Sequence, residues 1–580
     1  MTGGGARAVV RWPQQGGWLG FEEPLEILQA EAAAGVPALL DRIDRQARHG
    51  RWAVGYVAYE AAAAFDPALT TLAPAPGVPL AWFAVFEAPR PLPRLPDAAP
   101  FVPPGWQPEL DRQGYLARVE RIRNWIARGD TYQTNLTYRL RGSLTGDPWA
   151  LFAALCTTQP VDYACFLETE TWALASASPE LFFELEDREI VCRPMKGTRP
   201  RGRTLAEDDE RVRELRESTK DRAENLMIVD MVRNDLGRIA SPGSIVVDSL
   251  FDLERYATVW QMTSRIRAVT GAGLREIFTA LFPSASVTGA PKIRTMRIIS
   301  DLEVSPRGVY TGAIGIITPQ RRFRFNVAIR TAWIDRRSGR GEYGVGGGVV
   351  WDSSAEEEHA ECAAKAVALT RPRPRFSLLE TLLWVPGRGY ALLDRHLDRL
   401  AESAAYFGFP LDLDATRALL ADRAPRSATG HLRARLLLSA AGELSVECHD
   451  LVPVPEPWNV ELAVEAIDPE DPFLFHKTTH RETYERLRRA APEADDVVLW
   501  NPRGELTEST RANLAVRRDG GWLTPPVECG LLAGTCRADL LASGELREER
   551  IGISELESAE EIRLLNSLRG WIRVTIRPRR

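Results

Sequence analysis

Alternating apolar and polar positions predict paired β-strands at residues 182–195, FFELEDREIVCRPM. Residues 220–237, KDRAENLMIVDMVRNDLG, instead carry apolar side chains at helical spacing and end on Gly237, a helix stop signal. Three later segments are predicted to be successive strands of one sheet: 307–318, 323–335 and 341–353. Strands and helices therefore mix along the chain, which is typical of an α/β (α+β) fold class.

Two proline-rich stretches, 88–106 and 371–376, are predicted to be connectors, because proline cannot donate to a helix or to a sheet ladder. The second lies between a helix-like segment and a new strand-like pattern, FSLLETLLWV, so it is the stronger domain boundary. A chain of 580 residues is also too long for one ordinary domain. We expect four regions: an N-terminal part at 1–106, a catalytic domain at 107–370, a linker at 371–375 and a last domain at 376–580.

Composition narrows the class of protein. The chain is 44% hydrophobic and 26% charged, with a net charge of −6 and acids and bases interleaved, so neither a nucleic acid nor a membrane is an expected partner. Apolar runs of signal or membrane-spanning length are lacking, and the cysteines form no CxxC pair. Free thiols in a reducing compartment are the simpler interpretation, and we expect a cytoplasmic protein.

The most informative segment is 192–203, CRPMKGTRPRGR, which places Lys196 beside a Gly-Thr pair between prolines. A lysine alone is most often a solvated surface charge, so the value of this segment comes from its companions. These follow in order: Ser178-Pro179-Glu180, Ala223-Glu224-Asn225, Arg233-Asn234-Asp235, Val287-Thr288-Gly289-Ala290-Pro291-Lys292, Arg307-Gly308-Val309-Tyr310, Ala328-Ile329-Arg330, Gly346-Gly347-Gly348 and Glu358-His359-Ala360-Glu361.

This series resembles the chorismate-utilising family over about residues 107–370, and it implies a domain whose two sheets sandwich the active site. Chorismate carries two carboxylates, and the resemblance assigns Mg²⁺ to Glu224 and Glu361, with Glu358 as a supporting acid. The alternative is that Glu358 and Glu361 belong to a solvated helix face. The family's substrate-binding positions match Thr198, Tyr310, Arg330, Gly347 and Gly348, since arginine binds carboxylates bidentately and glycine lets backbone amides approach closely.

Single residues indicate the reaction. In the family, lysine at the position of Lys196 is typical of aminodeoxychorismate synthases, where it attacks C2 of chorismate as a nucleophile. Glu180 matches the general acid that protonates the departing C4 hydroxyl. Gln133 stands where isochorismate synthases carry a water-activating lysine, which argues against water as the nucleophile. The chain shows no glutaminase segment, so a separate glutaminase subunit is the implied source of ammonia.

A second ordered series follows the linker: Asp394-Arg395-His396-Leu397-Asp398-Arg399-Leu400, Phe475-His476-Lys477-Thr478-Thr479, Gly504 to Asn513, and Gly530 to Arg537. It resembles fold-type IV PLP enzymes over residues 376–580. The resemblance assigns the Schiff-base lysine to Lys477, the acid beside the pyridine nitrogen to Glu508, and phosphate binding to Arg399 and to the Gly534-Thr535 turn. Taken alone, Lys477 would be a surface lysine.

Fold-type IV motifs do not separate a transaminase from a lyase, so context decides. The product of the first half would be aminodeoxychorismate, and a lyase would remove pyruvate from it to give 4-aminobenzoate. We therefore expect a bifunctional enzyme of the folate pathway that uses Mg²⁺ and PLP, with Lys477 also moving the proton whose loss aromatises the ring and Thr381 assisting. The alternative is an anthranilate synthase-like half fused to an amino-acid aminotransferase. The second resemblance also implies a homodimer.

Overall fold

The computed structural model describes residues 5–13, 17–99, 101–370, 374–423, 430–556 and 558–577. The chain separates into two compact units. The first unit consists of Met1–Pro200 and Val212–Arg373, and the second consists of Arg201–Arg211 and Pro374–Arg580. Of the linker expected at 371–375, residues 371–373 lie outside the described residues.

The strands in the first half of the chain are β1 (Arg7–Trp12), β2 (Gly17–Phe21), β3 (Glu26–Ala30), β4 (Trp52–Val57), β5 (Ala81–Phe86), β6 (Arg90–Leu92), β7 (Gln107–Pro108), β8 (Gln133–Ser143), β9 (Tyr163–Glu168), β10 (Trp172–Ser178), β11 (Leu181–Glu186), β12 (Glu189–Arg193), β13 (Met195–Pro200), β14 (Val246–Arg255), β15 (Val259–Val269), β16 (Gly289–Ala290), β17 (Ala313–Ile317), β18 (Phe323–Val327), β19 (Thr331–Asp335) and β20 (Arg340–Val349). The helices there are α1 (Val36–Arg48), α2 (Arg112–Ala127), α3 (Pro148–Thr158), α4 (Leu205–Glu217), α5 (Thr219–Gly237), α6 (Leu274–Leu281), α7 (Lys292–Leu302) and α8 (Ala355–Thr370).

These strands form two ten-stranded sheets. The A sheet has the order β16-β8-β20-β19-β10-β9-β1-β2-β6, with β7 also paired to β8. The B sheet has the order β13-β15-β12-β11-β18-β17-β4-β5-β3, with β14 also paired to β15. The predicted hairpin at 182–195 and helix at 220–237 are confirmed by β11–β12 and by α5, in which Ser218 caps the N-terminus by accepting a hydrogen bond from the amide of Asp221.

Aromatic side chains fill the space between the two sheets. Trp172 and Trp333 of the A sheet stack with their ring centroids 4.6 Å apart, and Trp82 of the B sheet meets Trp172 edge-on at 5.0 Å. Such pairs contribute about 0.5–1.5 kcal/mol each beyond the area they bury. Helices α1, α5 and α6 cover the outer face of the B sheet, and α2, α3 and α8 cover that of the A sheet. The expected two-sheet sandwich with helices is confirmed.

The expectation that 307–318, 323–335 and 341–353 lie in one sheet is wrong. Strands β17 and β18 pair in the B sheet, whereas β19 and β20 pair in the A sheet. The chain changes sheets at Arg330, which has a positive φ of 51°, a conformation uncommon for a residue other than glycine. The whole of 323–335 is rich in strand-forming residues without a turn signal, so the sequence alone could not show the crossing.

The second half of the chain contains strands β21 (Leu378–Val385), β22 (Gly389–Tyr390), β23 (Leu432–Leu438), β24 (Leu444–Asp450), β25 (Trp458–Leu462), β26 (Asp496–Trp500), β27 (Leu506–Ser509), β28 (Asn513–Arg518), β29 (Gly521–Thr524), β30 (Leu546–Glu548), β31 (Glu561–Asn566) and β32 (Gly570–Ile576). Its helices are α9 (Leu393–Phe407), α10 (Leu413–Arg423), α11 (Glu482–Arg489) and α12 (Thr535–Ser543).

Two sheets also organise the second unit. A four-stranded sheet, β22-β21-β23-β24, packs against α9 and α10. An eight-stranded sheet has the order β27-β26-β25-β32-β31-β28-β29-β30, and β27 also pairs with β28. That extra pairing closes six of the strands into a ring. Among the helices in the described ranges, none has both the length and the apolar character that a membrane span requires.

The segment Arg201–Arg211 belongs to the second unit. The hydroxyl of Tyr406 donates to the carbonyl of Gly202 at 2.7 Å, and Nε2 of His476 lies 3.1 Å from the carbonyl oxygen of Arg203. Burial lowers the pKa of His476 to about 4, so the ring is neutral at pH 7. Its Nε2 must then carry the proton that the Arg203 carbonyl accepts, while Nδ1 accepts from Ser403.

Candidate active sites

Two crossings between the A and B sheets lie side by side in the first unit. One connects β10 to β11 and carries Glu180, and the other connects β18 to β19 and carries Arg330. Backbone hydrogen bonds join them, from the Val327 amide to the Glu180 carbonyl at 3.0 Å and from the Ala177 amide to the Arg330 carbonyl at 3.1 Å. The predicted general acid and the predicted carboxylate-binding arginine therefore arise from neighbouring points of the backbone.

Lys196 lies on β13 and directs its amine toward β8 and β20. A Cβ atom added to Gly348 would lie within 3.0 Å of both Nζ of Lys196 and Nε2 of Gln133. The amine and the amide thus converge on one glycine backbone, which explains why glycine is needed there. Gln133 is fully buried, and within the described part of the chain neither polar atom of its amide has a hydrogen-bond partner. Unsatisfied buried groups of this kind are typical of a ligand site.

Glu180 is buried and accepts a hydrogen bond of 2.5 Å from the hydroxyl of Ser286. Burial raises the pKa of Glu180 to about 7, although the Ser286 hydrogen bond and the charge of Lys196 oppose the rise. A carboxyl group with a pKa near neutrality can hold a proton at physiological pH, as a general acid must. Sequence reasoning missed Ser286, because its partner lies more than a hundred residues away.

The three predicted metal ligands, Glu224, Glu358 and Glu361, are close enough to influence one another's pKa values, but they have different hydrogen-bond and ion-pair partners. The Glu361 carboxylate pairs with Nζ of Lys365 at 2.7 Å, and that amine also donates to the Gly346 carbonyl at 2.8 Å. Lys365 lowers the pKa of Glu361, whereas burial, and then the charge of Glu361, raise the pKa of Glu358 to about 7. Burial also raises the pKa of Glu224, which the charge of Lys196 opposes.

The fit of these carboxylates to Mg²⁺ is partial. Oε1 of Glu358 accepts from Ser353, but Oε2 has no partner among the described residues and would be 2.8 Å from a Cβ on Gly347. An open carboxylate oxygen beside a glycine suits a hard cation. Among the described residues, no group of three or more metal-binding side chains is assembled, and Glu361 is already paired with Lys365. The metal assignment of Glu224, Glu358 and Glu361 remains a prediction.

Of the predicted carboxylate-binding residues, Tyr310 packs against β20 at Gly344, on the strand face that Gly348 also presents. A Cβ on Gly344 would overlap the ring of Tyr310, and the guanidinium of Arg139 lies 4.8 Å from the centroid of that ring. Arg330 donates to Oε1 of Gln159 at 2.5 Å, and desolvation lowers the pKa of its guanidinium. In the part of the chain that the structure describes, Arg330 forms no ion pair, so its charge is open to an acidic ligand.

Thr198 is two residues from Lys196 on β13. Its hydroxyl donates to Oε1 of Gln261 at 3.0 Å, and the Nε2 atom of Gln261 donates to the Gly197 carbonyl at the same distance. The Asn225 amide donates to the Lys196 carbonyl at 3.2 Å and accepts from Ser264 at 2.6 Å. These bonds fix the backbone that carries Lys196, and the contact of Thr198 with substrate stays a prediction.

The second unit contains an open cavity of about 780 Å³, and the predicted PLP-binding residues Lys477, Glu508, Arg399 and Thr535 all line it. The Leu379 amide donates to the Lys477 carbonyl at 2.9 Å, which attaches the lysine backbone to β21. Burial, and then the charge of Arg399, lower the pKa of Lys477 to about 8. An amine with a depressed pKa exchanges protons more readily at neutral pH.

Glu508 lies on β27 and faces the same cavity. Its Oε1 accepts from the hydroxyl of Tyr484 at 2.7 Å, and its Oε2 accepts from the amide of Asn513 at 3.2 Å. Burial raises the pKa of Glu508 to about 7, so without a cationic ligand the carboxyl holds a proton near neutrality. Such a buried acid fits a protonated pyridine nitrogen, whose positive charge would stabilise the carboxylate. Tyr484 belongs to no motif in the sequence, and only the structure shows its contact with Glu508.

Helix α12 begins in the wall of the cavity, and its N-terminus suits a phosphate. Gly534 is its N-cap residue, and no described side chain caps the helix, so its first backbone amides are open. A Cβ on Gly534 would collide with Oδ1 of Asn513. The guanidinium of Arg399 lies beside this turn and donates to the Ala533 carbonyl at 3.1 Å. The residues that the motifs assign to PLP therefore share one cavity, and their roles toward the cofactor stay a prediction.

Arg399 is held by residues to which sequence reasoning gave no role. It donates to both oxygens of Glu380, at 2.9 and 2.7 Å, and Nδ1 of His396 lies 2.6 Å from the same carboxylate. Nε2 of His396 is 3.3 Å from the hydroxyl of Thr535. Burial opposes ionisation of Glu380, but Arg399 and His396 hold its pKa at about 2. This network holds the Arg399 guanidinium and the Thr535 hydroxyl in place beside the N-terminus of α12.

Arginines give the mouth of the cavity a positive charge. Arg433 and Arg435 project from β23 into the cavity wall, and Arg435 is paired across the strands with Thr381, which also lines the cavity. Arg481 and Arg488 line the wall near α11. A cluster of guanidinium groups attracts polyanionic ligands and binds carboxylates well. The sequence contains these arginines, but only the strand register shows that they share one wall.

Both resemblances are confirmed by comparison with known families. The sequence model of the chorismate binding enzymes matches residues 20–371, and that of the class IV amino-transferases matches residues 377–576. The aminodeoxychorismate synthase of Streptomyces griseus is 43% identical to this chain over 310 residues, which are 52% of this chain and 41% of that protein.

Anthranilate synthase component 1 1 of Haloarcula marismortui is 38% identical over 266 residues, which are 46% of this chain and 54% of that protein. This chain thus spans about half the length of the curated relatives it matches. Among solved structures, anthranilate synthase component I from Streptococcus pneumoniae TIGR4 has a TM-score of 0.54 and 23% identity, covering 63% of this chain and 92% of that chain. At this identity, the likeness shows the fold of the first unit alone.

Proposed function

Because this chain belongs to the chorismate binding enzyme family, we propose that its first unit replaces the C4 hydroxyl of chorismate with an amine and that its second unit removes pyruvate from the product to give 4-aminobenzoate. The observation that carries the first step is the convergence of the Lys196 amine with Gln133 on the backbone of Gly348. Anthranilate synthases and aminodeoxychorismate synthases are both similar to this chain, so overall identity does not choose between them. The lysine does.

In the first step, Nζ of Lys196 attacks C2 of the ring, the ring double bonds shift and the C4 hydroxyl departs. Glu180 supplies the proton with which that hydroxyl leaves as water, and burial keeps this acid protonated near neutrality. Ammonia then forms a bond to C4, and the C2–Nζ bond breaks. The buried, unpaired amide of Gln133 cannot deprotonate water as a lysine in its place would, and this supports ammonia as the second nucleophile.

Charge complementarity supports chorismate as the substrate. Arg330 and Tyr310 would bind one carboxylate, and Thr198 with the amides near Gly347 would contact the rest of the ring system. Glu224, Glu358 and Glu361 would hold Mg²⁺, whose charge would neutralise the other carboxylate. Lys365 would need to release Glu361 for all three to serve together.

In the second unit, Lys477, Glu508, Arg399 and Thr535 would hold PLP, which when bound supplies an electron sink next to the amine-bearing carbon. Lys477 removes the proton from ring carbon C4, and its depressed pKa allows it to accept that proton near neutral pH. Loss of the enolpyruvyl group from C3 as pyruvate then leaves an aromatic ring. Thr381 also lines the cavity, and its hydroxyl would hydrogen-bond to the departing enolpyruvyl group.

The arginine-rich mouth of this cavity favours a lyase that acts on a dicarboxylate. Aminodeoxychorismate carries two carboxylates, and Arg433 and Arg435 offer two guanidinium groups on one face of β23. A separate glutaminase subunit would supply ammonia to the first unit, and a homodimer would follow the pattern of fold-type IV enzymes. All seven cysteines are free, which fits the reducing cytoplasm.

The decisive experiment incubates the purified full-length chain with chorismate, Mg²⁺, PLP and an ammonium salt at alkaline pH, followed by chromatography of the products. Formation of 4-aminobenzoate would support both units together. Accumulation of aminodeoxychorismate would retain the first step and reject the lyase. Anthranilate as the product would reject the role given to Lys196 and favour an anthranilate synthase joined to an aminotransferase.

A further inference from the structure

A chain of hydroxyl groups leads away from Glu180. The Ser286 hydroxyl donates to Oε1 of Glu180 at 2.5 Å and lies 3.0 Å from the hydroxyl of Ser284. Glu180 and Ser286 are both buried, whereas Ser284 is only half-buried. The series therefore runs from the deepest group of the site to one that solvent can reach.

A small cavity lies beside the same groups. It has a volume of about 10 Å³, close to the space that one water molecule occupies, and its lining includes Glu180, Ser284 and Asp235. Asp235 is paired with Lys292 at 2.8 Å, and both side chains are partly accessible. These two residues come from sequence motifs that have no place in the chemistry described above. The Asp235–Lys292 ion pair thus places charged groups at the cavity that Ser284 also lines.

We propose that Ser286 and Ser284 form a proton relay that restores the acid form of Glu180 from the solvent side. A hydroxyl both donates and accepts, so each serine passes a proton on by accepting one and releasing another. Ser286 makes the direct contact with the carboxylate, and Ser284 connects it to the cavity and to solvent. Ser286 is thus a proton-transferring partner of the general acid, and Ser284 acts through Ser286.

The reaction consumes a proton from Glu180 in each turnover, and the relay would replace it. This inference rests on the proposed function. The Glu180 proton leaves in the water formed from the C4 hydroxyl as the C–O bond breaks. Ammonia enters neutral, forms the C–N bond and remains on C4 as an ammonium group, while Lys196 departs from C2 as a neutral amine. Each turnover therefore takes up one proton from solvent, and Glu180 is the group left without one.

The test compares Ser284→Ala with Ser284→Thr in the full-length protein, supplied with chorismate, Mg²⁺ and ammonium. Ser284 does not contact Glu180 directly, so a loss of rate in Ser284→Ala would come through Ser286. We expect kcat for chorismate consumption to fall about tenfold, less than the 10²–10⁴-fold range of general acid catalysis, since water can partly replace the hydroxyl. KM for chorismate should not change, the solvent deuterium isotope effect on kcat should increase, and Ser284→Thr should restore both.

Two further variants separate the relay from packing. Ser286→Ala should lose more activity than Ser284→Ala, because it also removes the hydrogen bond to Glu180. Ser300→Ala removes a helix serine whose hydroxyl donates to the Arg297 carbonyl, and it should leave kcat and the isotope effect at wild-type values. Wild-type kinetics in Ser284→Ala, or an equal loss in Ser284→Thr, would overturn the relay alone. A wild-type protein that does not consume chorismate would overturn the proposed function and the relay with it.

Discussion

Replacing Gly348 by alanine tests whether the Lys196 amine acts at the position where the structure places it. The added Cβ would lie within 3.0 Å of Nζ of Lys196 and of Nε2 of Gln133, a spacing that real Cβ atoms essentially never show. Ordinary contact begins at 3.4 Å, so the amine must withdraw by about 1 Å. Both obstructing atoms are the ends of flexible side chains, and the fold should tolerate the change.

A displacement of about 1 Å in a reacting group costs about 10²-fold in rate. We therefore expect kcat for chorismate amination with ammonium to fall about 10²-fold in Gly348→Ala, with the melting temperature nearly unchanged. The matched control is Gly271→Ala, where the new Cβ meets nothing within 4 Å and kcat should stay at the wild-type value.

A double-mutant cycle with Lys196→Ala tests whether the effect of Gly348→Ala comes through the lysine amine. Without the lysine amine there is no nucleophile left to displace, so Gly348→Ala should cost almost nothing more in that background. If Gly348→Ala lowered the rate by the same factor with and without Lys196, the glycine would act through the backbone or through Gln133. If the single variant kept wild-type kcat, the assigned position of the nucleophile would be wrong.

Three other predictions concern titratable groups. Glu180→Gln should lower kcat by about 10²–10⁴-fold. Because burial raises the pKa of Glu180 to about 7, wild-type kcat at saturating ammonia should fall as the pH rises through about 7, and a flat profile would contradict its role as the acid. Lys477→Ala should accumulate aminodeoxychorismate and release no pyruvate, as chromatography and a pyruvate assay would show, whereas pyruvate released at the wild-type rate would exclude the lysine. Glu380 has a folded-state pKa of about 2 against an ordinary 4.5, so its stabilising effect is present above pH 4.5 and is lost as the pH falls toward 2. The melting temperature of Glu380→Gln should therefore depend less on pH between these values than that of the wild type, and parallel curves would refute this.

Ordered motifs in the sequence selected four residues that the structure brings together in the second unit. Lys477, Glu508, Arg399 and Thr535 are up to 136 residues apart in sequence, yet all four line one cavity. Each motif corresponds to a fixed requirement of the cofactor, an amine, an acid or a phosphate-binding turn, and residues with such linked requirements must meet at one place in the fold. The two-sheet fold of the first unit followed from the same kind of resemblance.

Interactions across the fold could not be predicted in this way. Ser286 looks like an ordinary loop serine until the crossing from β10 to β11 brings Glu180 to it. Arg330 lies in a segment of strand-forming residues without a turn signal, and its positive φ occurs where the chain passes from one sheet to the other. Periodicity describes which face of a strand is buried, but it is silent on which sheet that strand joins.

The inclusion of Arg201–Arg211 in the second unit has a consequence for dividing the protein into fragments. A polypeptide that starts at the proline-rich junction, residues 371–376, would lack the carbonyl groups of Gly202 and Arg203. The buried donors of Tyr406 and His476 would then lose their hydrogen-bond acceptors. Each unsatisfied buried donor costs about 1–3 kcal/mol, a large share of the stability of a typical domain. His476 directly precedes Lys477, so the loss of this hydrogen bond would affect the residue next to the amine that we propose to be catalytic. A gene for the second unit that begins at this junction would therefore encode a less stable protein, unless Arg201–Arg211 were supplied as well.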